Sequence, residues 1–235
     1  MEQQHNLTDI GNVLTKAMDN PIAKTIRSGA IGILGIVNPV AGVAAGIGDS
    51  FLAEYNTYKL SLLLKALSTK LNMETKLNEL YSYVNSSPDK AICVANLLKE
   101  TANAENPKVC IIYGLILANH TGNNSKFTQD ELIICKALEN ATECDLNNFK
   151  IIMESYLKQT SNGNKVIFPQ RFPNIDEFII TCDWCVYNRI FVSRILEWGE
   201  IGEDSSVVST HYYSTKLASL LMEYIKEAQP IWNYQ

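Results

Sequence analysis

The residues in this chain that invite chemistry are few: a C-x-x-C pair, Cys182-Asp183-Trp184-Cys185, and three histidines, His5, His120 and His211. A C-x-x-C pair is either redox-active or half of a zinc site. A zinc site needs two further ligands, and the remaining cysteines (Cys93, Cys110, Cys135, Cys144) are isolated, with no second C-x-x-C and no H-x-x-x-H. A redox reading needs a preceding strand in a βαβ setting, which the flanking sequence does not offer. On a helix Cys182 and Cys185 share one face, so the expectation is a pair of core thiols, with metal binding and redox chemistry as the minor readings. No histidine has an acid–base partner beside it in sequence. The chemistry that survives is a site assembled in three dimensions, recognisable as His120 or His211 beside a carboxylate. No phosphate-binding glycine loop is present, and Asp130 and Glu131 read as helix-start charges. The expectation is therefore a protein without cofactor and without enzymatic activity.

The elements around these residues are mostly helical. Thr128-Gln129-Asp130-Glu131 is a capping box, with Phe127 and Leu132 spaced for a hydrophobic staple. Ser87-Pro88-Asp89 combines an N-cap, a proline at the first helical position and an acid in the first turn. Pro107 precedes the apolar helix Val109 to Asn119, and Gly122, Asn123 and Asn124 mark the loop behind it. Amphipathic spacing predicts further helices over Leu7 to Met18, Met73 to Val84, the segment behind Asp145, Ile175 to Trp198, and Leu217 to Ala228. Val207 to Tyr213 has the β-branched and aromatic content of a strand, with Asp204-Ser205-Ser206 as its turn.

Ser28 to Gly48 stands apart. It carries no charged side chain, and glycine recurs at Gly29, Gly32, Gly35, Gly42, Gly46 and Gly48. As a helix it spans roughly 30 Å, about one hydrocarbon core. Gly42-x-x-x-Gly46 suits close helix packing, and Pro39 allows a kink or a hairpin. Lipid, the rest of the fold, or another copy of the chain must cover such a run. Past it, Val40 to Leu71 reads as one long helix whose second half is amphipathic.

The chain has 235 residues, 46% hydrophobic and 19% charged, with a net charge of −5. That balance is globular and does not attract nucleic acid or anionic lipid in bulk. Six cysteines in apolar helical patterns suit a reducing compartment, and Met1 to Asn20 shows no secretory signal. The expected location is the cytoplasm, with association at the inner membrane through the apolar run.

Two resemblances add to this. Pro21 to Leu157, with its glycine-rich run, GDSFLAEYNTYKLSLLLKAL and SSPDKAICVANLLKET, resembles the Abi-alpha (abortive-infection alpha) group of bacterial helical proteins. That resemblance implies antiviral defence and supplies no catalytic residues. Asn188 to Ile225 resembles the end of a winged-helix domain: a helix with Ile190, Ile195 and Leu196 stopping at Gly199, a ribbon, then Thr215 and Leu217 opening the last helix. Ala218 replaces the usual glycine. From Asp176 to Glu227 there are four basic residues (Arg189, Arg194, Lys216, Lys226) against nine acidic ones. That ratio favours a protein partner over DNA.

The expectation is a mainly α, multi-helix bundle in five parts: an amphipathic helix over 1–20, the glycine-rich segment and long helix over 21–71, a helical core over 72–158, a linker over 159–174, and a winged-helix-like module over 175–235. The expected function is a non-enzymatic abortive-infection effector, a toxin to its own host, acting at the inner membrane. Gly29, Gly32, Gly35, Pro39, Gly42 and Gly46 are its insertion candidates, and a bilayer or its own oligomer is its partner. The alternative is a soluble helical adaptor or regulator whose winged helix meets a regulatory protein.

Overall fold

The computed structural model describes residues 47–70, 76–169, 172–197 and 208–232. The expected helix over 1–20, the run up to Gly46 and all six insertion candidates lie outside them. The described chain is mostly helical, with a small antiparallel sheet towards the C-terminus. It divides into two compact units, 1–140 with 227–235, and 141–226.

In the first unit the helices are α1 (Ile47–Lys70), α2 (Lys76–Asn85), α3 (Pro88–Asn103), α4 (Pro107–Asn123) and α5 (Gln129–Leu138). Their starts are set by local chemistry. The Ser87 hydroxyl accepts from Lys90 N–H, Asn106 from Lys108 N–H, and Thr128 from Glu131 N–H. Pro88 and Pro107 occupy first-turn positions where no amide donor is needed. Helix α4 is the centre of this unit: Val109 to Ala118 is buried without interruption. Its backbone nearly touches α1 at Gly114, where an added Cβ would lie 2.2 Å from the Leu63 carbonyl oxygen and 2.7 Å from Ala66 Cβ. Leu62, Leu63, Leu64, Ala66 and Leu67 fill the core from α1. Lys59, also buried, donates to the Ala102 carbonyl at 2.9 Å and sits over the Tyr55 ring. Desolvation holds its ammonium below the ordinary lysine range. Tyr113 donates to the Cys135 carbonyl at 2.9 Å, tying α4 to α5.

The expected helix from Val40 is therefore present from Ile47 onward. Among the described residues no helix is long and apolar enough to cross a membrane. The expected staple takes another form. Leu132 is exposed, while Phe127 turns inward onto the His120 ring, with centroids 4.7 Å apart.

The second unit begins with α6 (Glu143–Ile151), which passes into a π-helical turn, Ile152–Tyr156. The helix starts before Asp145, because Thr142 is the N-cap and Asp145 closes a second capping box. The span expected as a linker instead carries a hairpin, β1 (Leu157–Thr160) and β2 (Gly163–Val166). The Thr160 hydroxyl donates to the Gly163 carbonyl at 2.6 Å across the turn, and Gly163 adopts φ +113°, which only glycine takes without strain. Phe168 and Phe172, beside the prolines, close an aromatic cluster with Tyr156 and Phe178.

The stretch from Ile175 to Trp198, expected as one or two helices, holds a helix and a strand. Helix α7 (Ile175–Tyr187) is followed by strand β3 (Phe191–Glu197). Arg189 takes the left-handed conformation, φ 63°, and Ile190 N–H closes back onto the Cys185 carbonyl at 2.8 Å. That bond ends the helix and redirects the chain. Ile190, Ile195 and Leu196 thus belong to no helix, which corrects the winged-helix expectation for this stretch. Strand β4 (Val208–Ser214) pairs with β3 from Phe191↔Ser214 to Glu197↔Val208. It also meets β2 at Lys165↔Tyr213, giving the order β1-β2-β4-β3, antiparallel throughout. Thr215 then accepts from Leu217 N–H and donates to the Ile190 carbonyl, opening α8 (Lys216–Trp232).

Candidate functional site

A buried polar cluster lies where α4 ends and α5 begins. Helix α4 stops at Asn123, and Asn124 takes the left-handed conformation, φ 49°. This folds the next residues back over the last turn, so that Ser125 N–H donates to the His120 carbonyl at 3.1 Å. His120 is thereby enclosed. Its Nδ1 lies 2.7 Å from Ser125 Oγ, and its Nε2 lies 2.8 Å from Glu131 Oε2. His120 and Glu131 are each only 6% exposed, and Ser125 is half-buried.

The capping box decides the protons. Glu131 Oε2 accepts from Thr128 N–H at 2.8 Å and from the Thr128 hydroxyl at 2.7 Å. A carboxylate oxygen so occupied is an acceptor, so His120 Nε2 carries the hydrogen it shares with Glu131. In the neutral ring Nδ1 is then an acceptor, and the Ser125 hydroxyl donates to it; this assignment comes from the hydrogen-bond network. The order is hydroxyl, imidazole, carboxylate, the arrangement that activates a nucleophile, with the two ring nitrogens in exchanged roles.

A second layer holds the loop. The Tyr83 hydroxyl donates to the Ser125 carbonyl at 2.8 Å. Lys90, buried, places all three ammonium protons: on Ser86 Oγ at 3.0 Å, Asn124 O at 2.9 Å and Asn124 Oδ1 at 2.6 Å. Its ammonium also lies 4.8 Å from the centre of the Tyr83 ring. Burial raises the Tyr83 phenol well above its usual range, so it stays a donor. Lys126 pairs with Asp89 at 2.7 Å on the surface above.

The other sequence candidates fall elsewhere. Cys182 and Cys185 are fully buried on α7, and burial pushes both thiols up, Cys182 to about 12. Neither is a thiolate at neutral pH, which is how core cysteines behave. Among the described residues no group of His, Cys, Asp or Glu could hold a metal ion. His211 sits on β4 opposite Arg194, and desolvation, then Lys165, holds its imidazole below the ordinary range. His5 is outside the described residues.

Sequence reading missed Ser125 and the second role of Glu131. It placed Glu131 correctly in a capping box but did not bring it to His120, which precedes Ser125 by five residues and Glu131 by eleven. The available signal was a histidine closing an otherwise apolar, buried helix, since a buried imidazole must find partners. It also missed Glu100 on α3. Burial, then the neighbouring Glu139, raises its carboxyl to about 7. The Lys136 hydrogen bond holds Glu139 itself low. In comparisons with known proteins, no family model, no curated protein and no solved structure matches this chain.

Proposed function

We propose that the protein is an effector that acts physically on a membrane through residues 28–48, with the helical body as its anchor. The reading rests on one observation: twenty-one consecutive residues without a charged side chain. The helix at their C-terminal end supports it. The chain is helical from Ile47, and the second half of that helix is buried in the core of the first unit. A lever fixed at one end to a packed body can present or withhold an apolar segment. The resemblance to abortive-infection proteins suits a defensive toxin, and the partner is lipid or further copies of the chain. The test is expression of the full chain and of a variant lacking Gly29 to Gly48, with growth and carbonate-washed membranes as readouts. The full chain is expected to arrest growth and stay in the pellet, and the deleted chain to do neither. Toxicity that survives the deletion ends the reading.

A second reading is a helical adaptor or regulator that binds protein through the second unit. It is favoured by apolar side chains left in solvent there. Val192 and Ile195 stand exposed on β3, an edge strand, and Ile180 and Tyr187 on α7, Tyr187 at 87%. The acidic excess of this region argues against DNA. Retardation of a DNA duplex at low salt would contradict it.

A further inference from the structure

We infer that Ser125 is a nucleophile towards small, uncharged carboxylic esters, with His120 as its base and Glu131 as the residue that positions the base. The inference does not depend on membrane action. Three features of the α4–α5 junction carry it. The Ser125 hydroxyl oxygen lies 2.7 Å from an imidazole nitrogen, Nδ1, which accepts its proton in the neutral tautomer assigned above. The opposite nitrogen is held by a buried carboxylate at 2.8 Å, and that carboxylate is itself fixed by two bonds from Thr128. Phe127 packs against the imidazole, with ring centroids 4.7 Å apart, and limits its rotation. A base so held loses little energy to reorientation when it takes a proton.

The substrate class is set by the surrounding charge. Lys90 has spent all its donors on Ser86 and Asn124, and Lys126 is paired with Asp89. The buried cation beside the loop, Lys90, thus has no donor left to hold an anionic substrate. Ser125 is half-buried, so the residue is partly open to solvent, and a small ester is the substrate that demands least room there.

The chemistry balances without any further reagent. Ser125 Oγ forms a bond to the ester carbonyl carbon as its proton passes to His120 Nδ1. The carbon–alkoxide bond breaks, and the alkoxide leaves with that proton as an alcohol. Water then repeats the sequence on the acyl-serine, releasing the acid and restoring the hydroxyl.

The probes are p-nitrophenyl acetate and an alkyl fluorophosphonate, incubated with the full-length protein and read by peptide mass mapping. The expected result is an adduct on Ser125 formed at least ~100-fold faster than on Ser87, a serine without a histidine. Ser125→Ala is expected to lose that adduct with an unchanged circular dichroism spectrum. His120→Asn removes the base and is expected to abolish labelling. Glu131→Gln keeps a side chain that can accept from Thr128 N–H, so the helix cap survives. It is expected to lower the limiting labelling rate about tenfold while leaving the half-saturating ester concentration unchanged. An unlabelled Ser125 in folded wild-type protein, or equal rates in wild type and Glu131→Gln, would overturn the assignment.

Discussion

The two units each contain a capping box, and the two boxes have different fates. Thr128 and Glu131 start α5; Thr142 and Asp145 start α6. In both, the threonine hydroxyl and the acid exchange bonds with each other's backbone, at 3.2 and 2.8 Å in the first and 3.1 and 3.0 Å in the second. The second box stays at the surface, where Asp145 spares only a long contact of 3.4 Å for Thr181. The first is buried, and its carboxylate takes His120 as a third partner. The lesson is that a local helix-start device becomes a chemical site when the chain folds back to bury its acid. Burial makes each remaining bond costly to lose.

This contrast can be broken by substitution. Glu131→Ala removes the reciprocal half of the capping box, leaving the Thr128 cap bond, and leaves a buried imidazole N–H without its acceptor. It is expected to cost about 3 kcal/mol in urea unfolding monitored by circular dichroism. Gly114→Ala damages the same unit by another route, pressing a methyl group into the α1 backbone. Its expected cost is about 2–3 kcal/mol, with Ser125 labelling by the fluorophosphonate retained in the folded fraction. Asp145→Ala, the equivalent lesion in the exposed box, is expected to cost only about 1 kcal/mol. If it proves as damaging as Glu131→Ala, burial is not what separates the two boxes.

The smallest effect sharpens the comparison through pH. Glu100 in the folded first unit has its carboxyl raised to about 7. The folded state therefore holds a proton that the unfolded chain gives up near its ordinary value of 4.5. The stability this group contributes is present below about 4.5 and is lost as pH rises through about 7. Glu100→Gln is expected to raise Tm by a few degrees at pH 8 and to leave it unchanged at pH 4, measured by calorimetry.

What the sequence made legible was local. The starts of α3 and α5 were readable at Ser87 and Thr128, because a cap is settled within four residues. The partner of His120 was not, because it depends on a left-handed asparagine rather than a glycine at Asn124. The same blindness hid the end of α7: Arg189 carries the positive φ, and no glycine announces it. Phe191 to Glu197 then reads equally well at either period. The hairpin of β1 and β2 had visible turn residues around Gly163. Its membership of a sheet rests on Lys165 facing Tyr213, a pairing that no window of sequence contains. The glycine-rich run up to Gly46, with all six insertion candidates, lies outside the described residues.

The wide turn at Ile152–Tyr156 has a genetic corollary. A π-turn amounts to one surplus residue wound into an otherwise regular spiral. Excising a single codon there would let the spiral close up at its normal pitch. The wide turn is what absorbs the surplus, so Leu157 and the strand it begins would keep their place around the axis. A one-codon deletion at this point should therefore be better tolerated than one within the regular turns of Glu143–Ile151, where the loss swings everything downstream by about 100°, a difference that a deletion scan scored by soluble expression would read directly.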